Sequence, residues 1–451
     1  MKTRGNFSSK VGFVLAAAGS AVGLGNIWRF LYLAAKYGGG TFLLCYLILA
    51  VTFGFTLMIA EIAIGRKTRL SAIGAFSALD KRFGFVGVLA SLVPIIIFPY
   101  YSVIGGWVVK YLFTFVSGEM TAASQDTYFT NFISGIGEPI LWFSIFVGCT
   151  ALVVLFGVEK GIEKVSTILM PILVILTIGI AIYALTIDGA WEGFIYYIKP
   201  NMKDFSATTI LAAMGQLFYS MSLAMGIMIT YGSYMKKEDH LEQSVRQIEI
   251  FDTAIAFFAG MMIIPAVYAF SGGDESAMSA GPGLMFITLP KVFASMPGGS
   301  IVGAVFFLLV FFAALTSAIS LMETIVSIIM DKFNISRKVT CIIVLIFTLA
   351  MGIPSSLGFG ALSFLQPLGM SILDAWDFIS NSVMMPIVAF ITCIFVGFFV
   401  KPKTIIDEVK QDGEAFKSEK LFTVMIKWIA PIFLVLILLS SIASALGLMT
   451  I

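Results

Sequence analysis

The sequence is poor in charged residues and rich in apolar ones. Asp, Glu, Lys and Arg make up 12% of its 451 residues, whereas 59% are hydrophobic. An ordinary soluble domain has about 25% charged and about 45–50% apolar residues, so lipid rather than water is the expected solvent. The formal net charge is only +2. A nucleic-acid partner is excluded because the chain lacks the basic excess that binds a phosphate backbone.

Imidazole and thiol groups are equally scarce. The single histidine, His240, lies in a charged stretch at 236–242 and is interpreted as a solvated loop residue. The sequence has neither a GxxxxGKS/T phosphate loop nor a cluster of catalytic side chains, so ATP-driven pumping and enzymatic activity are not expected. The four cysteines lie in apolar runs without CxxC spacing, which favours packed thiols over disulfides or metal ligands: Cys45, Cys149, Cys341 and Cys393.

Long apolar runs dominate the chain instead. A membrane-spanning helix needs about 20 mostly apolar residues, and eleven stretches meet that requirement. They predict an all-α integral membrane protein with one transmembrane domain over residues 1–451. The stretches are 11–36, 41–66, 86–115, 139–157, 163–186, 207–234, 245–270, 299–330, 338–354, 370–399 and 423–448.

The distribution of basic residues predicts the orientation. With the amino terminus in the cytoplasm, 22 of the 28 Lys and Arg residues lie inside, in clusters at 2–10, 66–82, 160–164, 236–246, 332–338 and 401–427. The positive-inside rule favours this arrangement, with the carboxyl terminus outside. The first apolar run is too long for a signal-peptide core and is interpreted as a retained span. A multi-pass protein of the cell membrane is expected, with the bacterial inner membrane favoured.

Two spans contain residues that break helices. Span 1 carries Gly19, Gly23 and Gly25 within seven positions, and each glycine costs up to about 1 kcal/mol in a helix interior. Span 6 carries the small and hydroxyl residues SMSLAMG at 220–226. Close packing of helices through small residues is one explanation. Paired breaks also indicate a binding site at the midplane of an inverted repeat, with helices 1–5 in residues 1–200, helices 6–10 in 201–400, and a cytoplasmic loop with helix 11 in 401–451.

Several separated motifs resemble those of the neurotransmitter:sodium symporter family, in its bacterial amino-acid transporter branch. They are GSAVGLGNIWRF from 19, YGGGTF from 37, EIAIGR from 61, GVEKGIEKVSTILMP from 157, ITYGSYM from 229, FFAALTSAIS from 311 and WDF from 376. The resemblance runs nearly end to end and implies the LeuT-type fold, with broken helices 1 and 6. It also implies sodium-coupled import of an amino acid by alternating access.

The resemblance implies two sodium sites, and sodium as a hard cation prefers oxygen ligands. The first would use the substrate carboxylate together with Ala21, Asn26, Ser220 and Asp252. The second would use Gly19, Val22, Ala313, Thr316 and Ser317. For the hydroxyls of span 8, hydrogen bonding back to the preceding helical turn is the alternative.

Asp252 is the most informative of these residues. A carboxylate inside an apolar helix requires a cation or a proton. Many animal relatives have asparagine here and use chloride as a counter-charge, with a serine one turn later where this chain has Ala256. Chloride-independent transport is therefore expected, with Gln216 and Tyr46 lining the region around Asp252. A proton-coupled transporter or exchanger is the alternative, because Asp252 could bind a proton instead. By the same resemblance, Glu61 is assigned to a structural hydrogen-bond network near the span-6 break.

The resemblance also places the substrate at the two breaks. Free N–H groups and carbonyls at half-helix ends suit a zwitterion. Gly23 occupies the position where monoamine carriers of the family bear an aspartate, which favours an amino acid over a monoamine. All implied lining residues are uncharged, so a neutral, hydrophobic or aromatic amino acid is expected, with Tyr101 bonding its carboxylate. They are Ala21, Gly23, Leu24, Gly25, Ile97, Tyr101, Tyr219, Ser220, Ser222, Met225, Ser317 and Leu321.

Gates complete the implied mechanism. Arg29 with Asp377 would form the outer ion pair, and Arg4 with Asp331 the inner one; anchoring at lipid headgroups is the alternative for Arg29. The segment between Gly161 and Pro171 matches one that unwinds in some bacterial relatives to hydrate the second sodium. A transport-silent amino-acid sensor should have lost sodium ligands or gates, and neither loss is visible. One departure is Leu31, where the family usually has proline; the outer half-helix is expected to run more regularly there.

Overall fold

The computed structural model describes residues 5–273 and 283–445, which form helices and turns with no strand in these two ranges. The main helices are α1 (Lys10–Ala21), α2 (Gly25–Lys36), α3 (Gly40–Thr68), α4 (Lys81–Val116), α5 (Gly137–Leu155), α6 (Val158–Ala184), α7 (Ala207–Ser220), α8 (Ile227–Gly232), α9 (Leu241–Ser271), α10 (Gly299–Phe333), α11 (Arg337–Leu357), α12 (Ile372–Phe399), α13 (Pro402–Val409) and α14 (Glu419–Ala443). Shorter helices, left unnumbered, lie at Ala72–Leu79, Met120–Ala123, Tyr128–Ser134, Ala190–Ile198 and Leu284–Ser295.

Nine of the eleven predicted spans coincide with single helices of membrane-crossing length, and a tenth coincides with a bent pair of helices. Within the described ranges nine helices are long and apolar enough to cross a membrane, and α1 with α2 makes a tenth as a pair bent by 48°. The remaining stretch, 207–234, holds α7 and α8, which are 14 and 6 residues long. Neither alone reaches the about 20 residues that a bilayer requires. A span there stays a prediction that depends on the pair crossing together.

Both predicted breaks are present and contact each other. Between α1 and α2, Val22 is extended, with φ −74° and ψ 101°. Between α7 and α8, Ser222 and Ala224 have φ of 52° and 60°, a left-handed conformation that costs an L-residue about 1–2 kcal/mol. Hydrogen bonds offset this strain: Ser222 Oγ donates to the Ser20 carbonyl at 2.9 Å, and Ala224 N–H donates to Glu61 Oε1 at 2.7 Å.

The core is built around α4 and α10, which pack against each other, while α1 packs against α6, α9 and α10. Helices α3 and α8 approach through glycine. A Cβ added at Gly65 would lie 1.8 Å from the Ile229 carbonyl oxygen, and one at Gly232 would lie 2.3 Å from that of Ile62. Such contacts hold two helices closer than side chains allow. The inner half of the span-6 region is therefore fixed against α3.

The structure corrects one expectation about the thiols. All four cysteines are free, as predicted, and Cys45, Cys341 and Cys393 are buried. Cys149 is exposed, so the prediction that it packs inside was wrong. It lies on α5 near the exposed apolar side chains of Ile145 and Leu152, on a face that carries lipid-compatible residues. A run of uniformly apolar residues gave no sign of which side faces outward.

Helix α2 is regular only in part. It begins with a π-helical turn at Gly25–Arg29 and is α-helical from Phe30 to Lys36. Leu31 is buried in the regular part. The ring of Phe30 packs edge-on against Phe42 at 5.5 Å and Tyr46 at 5.0 Å, measured between ring centroids.

Candidate functional site

A buried cluster of oxygen-bearing side chains surrounds Asp252 of α9. Its Oδ1 accepts hydrogen bonds from Asn26 Nδ2 and Ser220 Oγ, each at 2.8 Å, and its Oδ2 accepts one from Tyr46 Oη at 2.9 Å. All four side chains are fully buried. These bonds bring together Asn26, Ser220 and Asp252 of the first expected sodium site. Their oxygens suit a hard monovalent cation.

Neighbouring polar groups hold the break of helix 1 beside this cluster. Gln216 Nε2 donates to the Gly25 carbonyl at 2.7 Å, and Asn26 Oδ1 accepts from Gly23 N–H at 3.1 Å. Gln216 Oε1 is buried and has no hydrogen-bond partner among the described residues. An unpaired buried amide oxygen costs about 1–3 kcal/mol and marks a place where a further donor or cation is favoured.

A second oxygen-rich position lies where α10 meets the same break. Ser317 Oγ is within hydrogen-bonding distance of the carbonyl oxygens of Gly19, Ser20 and Val22, at 3.4, 3.0 and 3.3 Å. One hydroxyl hydrogen cannot serve three acceptors at once. Carbonyl oxygens that converge in this way favour a cation.

The other predicted ligands of this site lie close by. Thr316 Oγ1 donates within α10, to the carbonyls of Phe312 at 3.0 Å and Ala313 at 3.1 Å, which is the helical back-bonding that the sequence left as an alternative. A Cβ added at Gly19 would lie 3.2 Å from Thr316 Cβ, so the two residues are direct neighbours. The Thr316 hydroxyl oxygen retains lone pairs for sodium while its hydrogen stays bonded within the helix.

The predicted substrate pocket is a single cavity between the two breaks. Its volume is about 30 Å³, far below the roughly 300–1,000 Å³ of typical ligand pockets. Binding of an amino acid therefore requires its walls to move apart. The cavity is lined by all predicted substrate residues except Ser220, and also by Ser20 and Ile227, which the sequence did not indicate: Ser20, Ala21, Gly23, Leu24, Gly25, Ile97, Tyr101, Tyr219, Ser222, Met225, Ile227, Ser317 and Leu321.

Two glycines set the size of this cavity. A Cβ at Gly23 would lie 2.4 Å from Ser317 Oγ and 3.1 Å from Tyr101 Oη. A Cβ at Gly25 would lie 2.7 Å from the ring of Tyr219.

Tyr101 Oη accepts a hydrogen bond from Leu24 N–H at 3.4 Å. The Tyr101 hydroxyl is thus placed at the exposed backbone of the break.

On the predicted outer side, the two residues predicted to form a gate line one cavity but make no ion pair within the described residues. Asp377 Oδ1 accepts from Asn381 Nδ2 at 2.6 Å and from Tyr100 Oη at 3.1 Å. The Arg29 guanidinium carbon lies 5.4 Å from the centre of the Tyr219 ring, in a cation–π position. No N···O distance of 4.0 Å or less joins Arg29 to Asp377 in the described structure. Both line a cavity of about 340 Å³ above the substrate pocket.

On the predicted inner side, Arg4 lies outside the described residues. Its expected partner Asp331 accepts a hydrogen bond from Ser71 N–H at 2.8 Å. A pair that the sequence did not indicate lies nearby: Arg337 Nη1 is 2.6 Å from Glu323 Oε2, and Tyr234 Oη donates to Glu323 Oε1 at 2.7 Å. These contacts join α10 and α11 to the chain that follows α8.

The start of α6 holds the start of α1. Glu163 Oε2 accepts from Ser8 N–H at 2.7 Å, and Oε1 accepts from the hydroxyls of Ser8 and Ser9 at 2.7 and 2.9 Å and from Ser9 N–H at 3.2 Å. The segment from Gly161 to Pro171, expected to unwind, is helical here and begins in a π-helical turn at Val158–Glu163. Glu163 therefore joins that segment to the first helix.

Glu249 is a further residue that the sequence reasoning missed. It lies on α9 one turn before Asp252 and is 4% exposed. Its Oε2 has no hydrogen-bond partner within residues 5–273 and 283–445. A carboxyl group inside predicted span 245–270 was itself a signal, because intramembrane ionisable residues are rare and tend to be functional.

Comparisons with known proteins show which proteins this chain resembles. The sequence profile of the sodium:neurotransmitter symporter family matches residues 4–131 and 127–449. The chain is 34% identical to an uncharacterized sodium-dependent transporter, YhdH, of Bacillus subtilis, over 96% of this chain and 97% of that one. It is 32% identical to an uncharacterized sodium-dependent transporter of Haemophilus influenzae, over 98% of each.

A solved structure shows the fold. The crystal structure of MhsT in complex with L-phenylalanine matches with a TM-score of 0.88 and 39% identity, over 97% of this chain and 100% of that one. This match confirms the predicted all-α, LeuT-type fold with broken helices 1 and 6.

Proposed function

The chain belongs to the sodium:neurotransmitter symporter family, and from that premise we propose that it imports neutral, hydrophobic or aromatic L-amino acids together with sodium. Sodium-dependent symport follows from the family and from the sodium-dependent relatives. The substrate, the ligands of each ion and the gates are the parts that we propose. The observation that carries them is the convergence of Asn26, Ser220 and Asp252 beside the cavity between the two breaks.

The cation ligands support direct coupling of sodium to substrate. Asp252 supplies a buried negative charge, to which Asn26 Nδ2 and Ser220 Oγ donate hydrogen bonds. The neutral oxygens for the cation are Asn26 Oδ1 and Ser220 Oγ. In the proposed site one sodium takes these groups with the Ala21 carbonyl and the carboxylate of the bound amino acid. A second sodium takes the Gly19 and Val22 carbonyls with Ala313, Thr316 and Ser317. The substrate carboxylate then completes the first sodium site, so this sodium and the substrate each bind weakly without the other.

The lining of the cavity supports an uncharged substrate side chain. None of the lining residues is charged, and a charged group buried among them would remain unpaired, at a cost of several kcal/mol. Met225 and Leu321 offer flexible apolar surface, and methionine adapts to aliphatic or aromatic groups alike. The bound L-phenylalanine of the MhsT structure belongs to the same substrate class.

The gates support alternating access. Above the cavity, Arg29 and Asp377 form the proposed outer ion pair; Tyr100 and Asn381 donate to Asp377 Oδ1, which leaves Oδ2 for Arg29. Below the cavity, the Glu323–Arg337 pair closes the inner side, and Asp331 is the proposed partner of Arg4, which lies outside the described residues. In the proposed cycle the outer gate opens while the inner gate stays closed, and the reverse.

Chloride independence follows from the same carboxylate. Tyr46 donates to Asp252 Oδ2, so the negative charge occupies the hydrogen-bonding position that a bound anion would otherwise fill. A carboxylate supplied by the chain removes the need for a second negative charge beside sodium.

The test is uptake of radiolabelled phenylalanine, leucine and tyrosine into proteoliposomes. We expect uptake under an inward sodium gradient, none with potassium in its place, and no change when gluconate replaces chloride. Lysine and glutamate should not compete. Uptake that follows a proton gradient and ignores sodium would favour the proton-coupled alternative. Saturable binding without uptake would favour a sensor.

A further inference from the structure

A basic groove lies on the predicted cytoplasmic side, where α12 ends and α14 begins. It has a volume of about 660 Å³, and helix α13 forms one wall. Four of its lining residues are lysines, and two are acidic. They are Lys401, Lys403, Lys410 and Lys427, with Asp407 and Glu419.

Three of these lysines have no acidic partner. Lys410 Nζ is paired with Glu419 Oε2 at 2.5 Å. Within the described part of the chain, Lys401, Lys403 and Lys427 make no ion pair of 4.0 Å or less, even though Asp407 lines the same groove. The groove therefore presents unneutralised positive charge to an anion.

The surroundings of the groove match the depth of lipid headgroups. Phe398 and Trp428 are 46% and 60% exposed, and their rings pack edge-on with centroids 5.8 Å apart. Exposed aromatic residues at the end of a span are typical of the membrane interface. Val424, Trp428 and Ile432 recur every four residues on α14, and all three are exposed. This face of α14 offers an apolar surface for acyl chains, on the membrane side of the lysines.

The groove is also rigid. Lys401, before Pro402, has φ 70° and ψ 141°. L-residues rarely adopt this conformation, and it persists only where the surrounding structure holds the backbone in place. Helix α13 is fixed to α3, because Arg66 Nε contacts Glu408 Oε1 at 2.9 Å and Arg66 Nη2 donates to the Glu408 carbonyl. Arg66 is fully buried. The lysines at the start of α13 are thereby held in place before any ligand arrives.

We propose that this groove binds the headgroup of an anionic phospholipid of the inner leaflet. Its phosphate contacts Lys401, Lys403 and Lys427, and its acyl chains lie along the exposed face of α14. A soluble phosphate would satisfy the same charges, but it would not use the apolar face and the aromatic pair below them. Basic pockets between spans on this side of a membrane are suited to such headgroups.

The test compares lipids and variants on the full-length protein. Thermal melting is measured in nanodiscs of phosphatidylcholine and of phosphatidylglycerol, and native mass spectrometry counts retained phosphatidylglycerol. The test variant is Lys401→Gln/Lys403→Gln/Lys427→Gln. The control is Lys237→Gln/Lys332→Gln/Lys338→Gln, which removes the same charge from other exposed lysines on that side.

We expect phosphatidylglycerol to raise the melting temperature of the wild type and of the control, but not of the test variant. Retention of the lipid by the test variant should fall at least about tenfold. Equal losses in test and control would overturn the proposal, since they would indicate a diffuse charge effect. A melting shift of the same size from inorganic phosphate in detergent would also overturn it, in favour of a soluble anion. If the triple variant does not fold in phosphatidylcholine, Lys403→Gln alone must still lower retention relative to Lys338→Gln.

Discussion

The phenolic hydroxyl of Tyr46 donates a hydrogen bond of 2.9 Å to Oδ2 of Asp252, while Oδ1 of the same carboxylate accepts from Asn26 and Ser220. One carboxylate therefore belongs to two neighbouring functions. Oδ1 accepts hydrogen bonds from the proposed sodium ligands Asn26 and Ser220. Oδ2 accepts the Tyr46 hydrogen bond that, in our proposal, a mobile anion would otherwise accept. In the proposed site, the negative charge that balances sodium is therefore covalent, and we expect no requirement for a second solute.

Asp252→Asn should make transport depend on chloride. The substitution keeps the shape but removes the charge, so sodium would be left without a counter-charge beside it. We expect phenylalanine uptake to fall strongly in gluconate and to recover in part when chloride is added. Glu192→Gln removes an exposed carboxylate on the predicted outer side and serves as the control. Unchanged, chloride-indifferent uptake by Asp252→Asn would show that this carboxylate does not serve the ion.

Much of this cluster could be predicted from sequence because charge inside an apolar run is conspicuous. Asp252 stands in a predicted span, and the glycines around Asn26 stand in another. The role of Glu163 could not be predicted. It belongs to the charge-rich stretch VEKGIEK, where Glu159 and Glu163 look alike. Only the fold distinguishes them, by placing Ser8 and Ser9 against Glu163 and leaving Glu159 exposed.

Ser317→Ala should weaken sodium binding. The hydroxyl lies within 3.4 Å of three carbonyl oxygens from the break of helix 1, and its loss removes a proposed ligand of the second sodium. We expect the sodium concentration for half-maximal uptake to rise about tenfold, which corresponds to about 1.4 kcal/mol. Thr348→Val is the control, because that hydroxyl only bonds back within α11 to the Val344 carbonyl. An unchanged sodium dependence would remove Ser317 from the site.

Gly23→Ala should abolish amino-acid binding without unfolding the protein. The added methyl group would lie 2.4 Å from Ser317 Oγ and 3.1 Å from Tyr101 Oη, in the space proposed for the substrate carboxylate. Gly179→Ala is the matched control, since nothing lies within 4 Å of a Cβ there. Equilibrium binding of labelled phenylalanine in sodium, with thermal melting beside it, separates the two effects. Binding by Gly23→Ala at wild-type affinity would contradict the proposed pose.

Glu249→Gln should leave the protein at least as stable as the wild type. The carboxyl group is 4% exposed, and its Oε2 lacks a hydrogen-bond partner in the described ranges. A neutral amide of nearly the same shape avoids burying a second charge one turn from Asp252. We expect an equal or higher melting temperature in detergent. A loss of several degrees would show that the charge of Glu249 itself stabilises the protein.

Glu163→Gln should release the start of α1. Four hydrogen bonds from Ser8 and Ser9 converge on this carboxylate, and a charged acceptor makes them stronger than an amide oxygen would. A neutral side chain also loses the favourable interaction of a negative charge with a helix amino terminus, about 0.3–1 kcal/mol in exposed cases.

The measurement is amide hydrogen exchange over residues 8–21 in sodium. We expect exchange there to be faster in Glu163→Gln than in the wild type, together with faster exchange in the Gly161–Pro171 segment that carries Glu163. Glu159→Gln provides the comparison, because it removes an exposed carboxylate from the same π-helical turn. If only residues 8–21 respond, Glu163 merely caps α1. If both segments respond together, opening of the inner side and unwinding of the Gly161–Pro171 segment of α6 are one event, because Glu163 contacts the start of α1 and belongs to that segment.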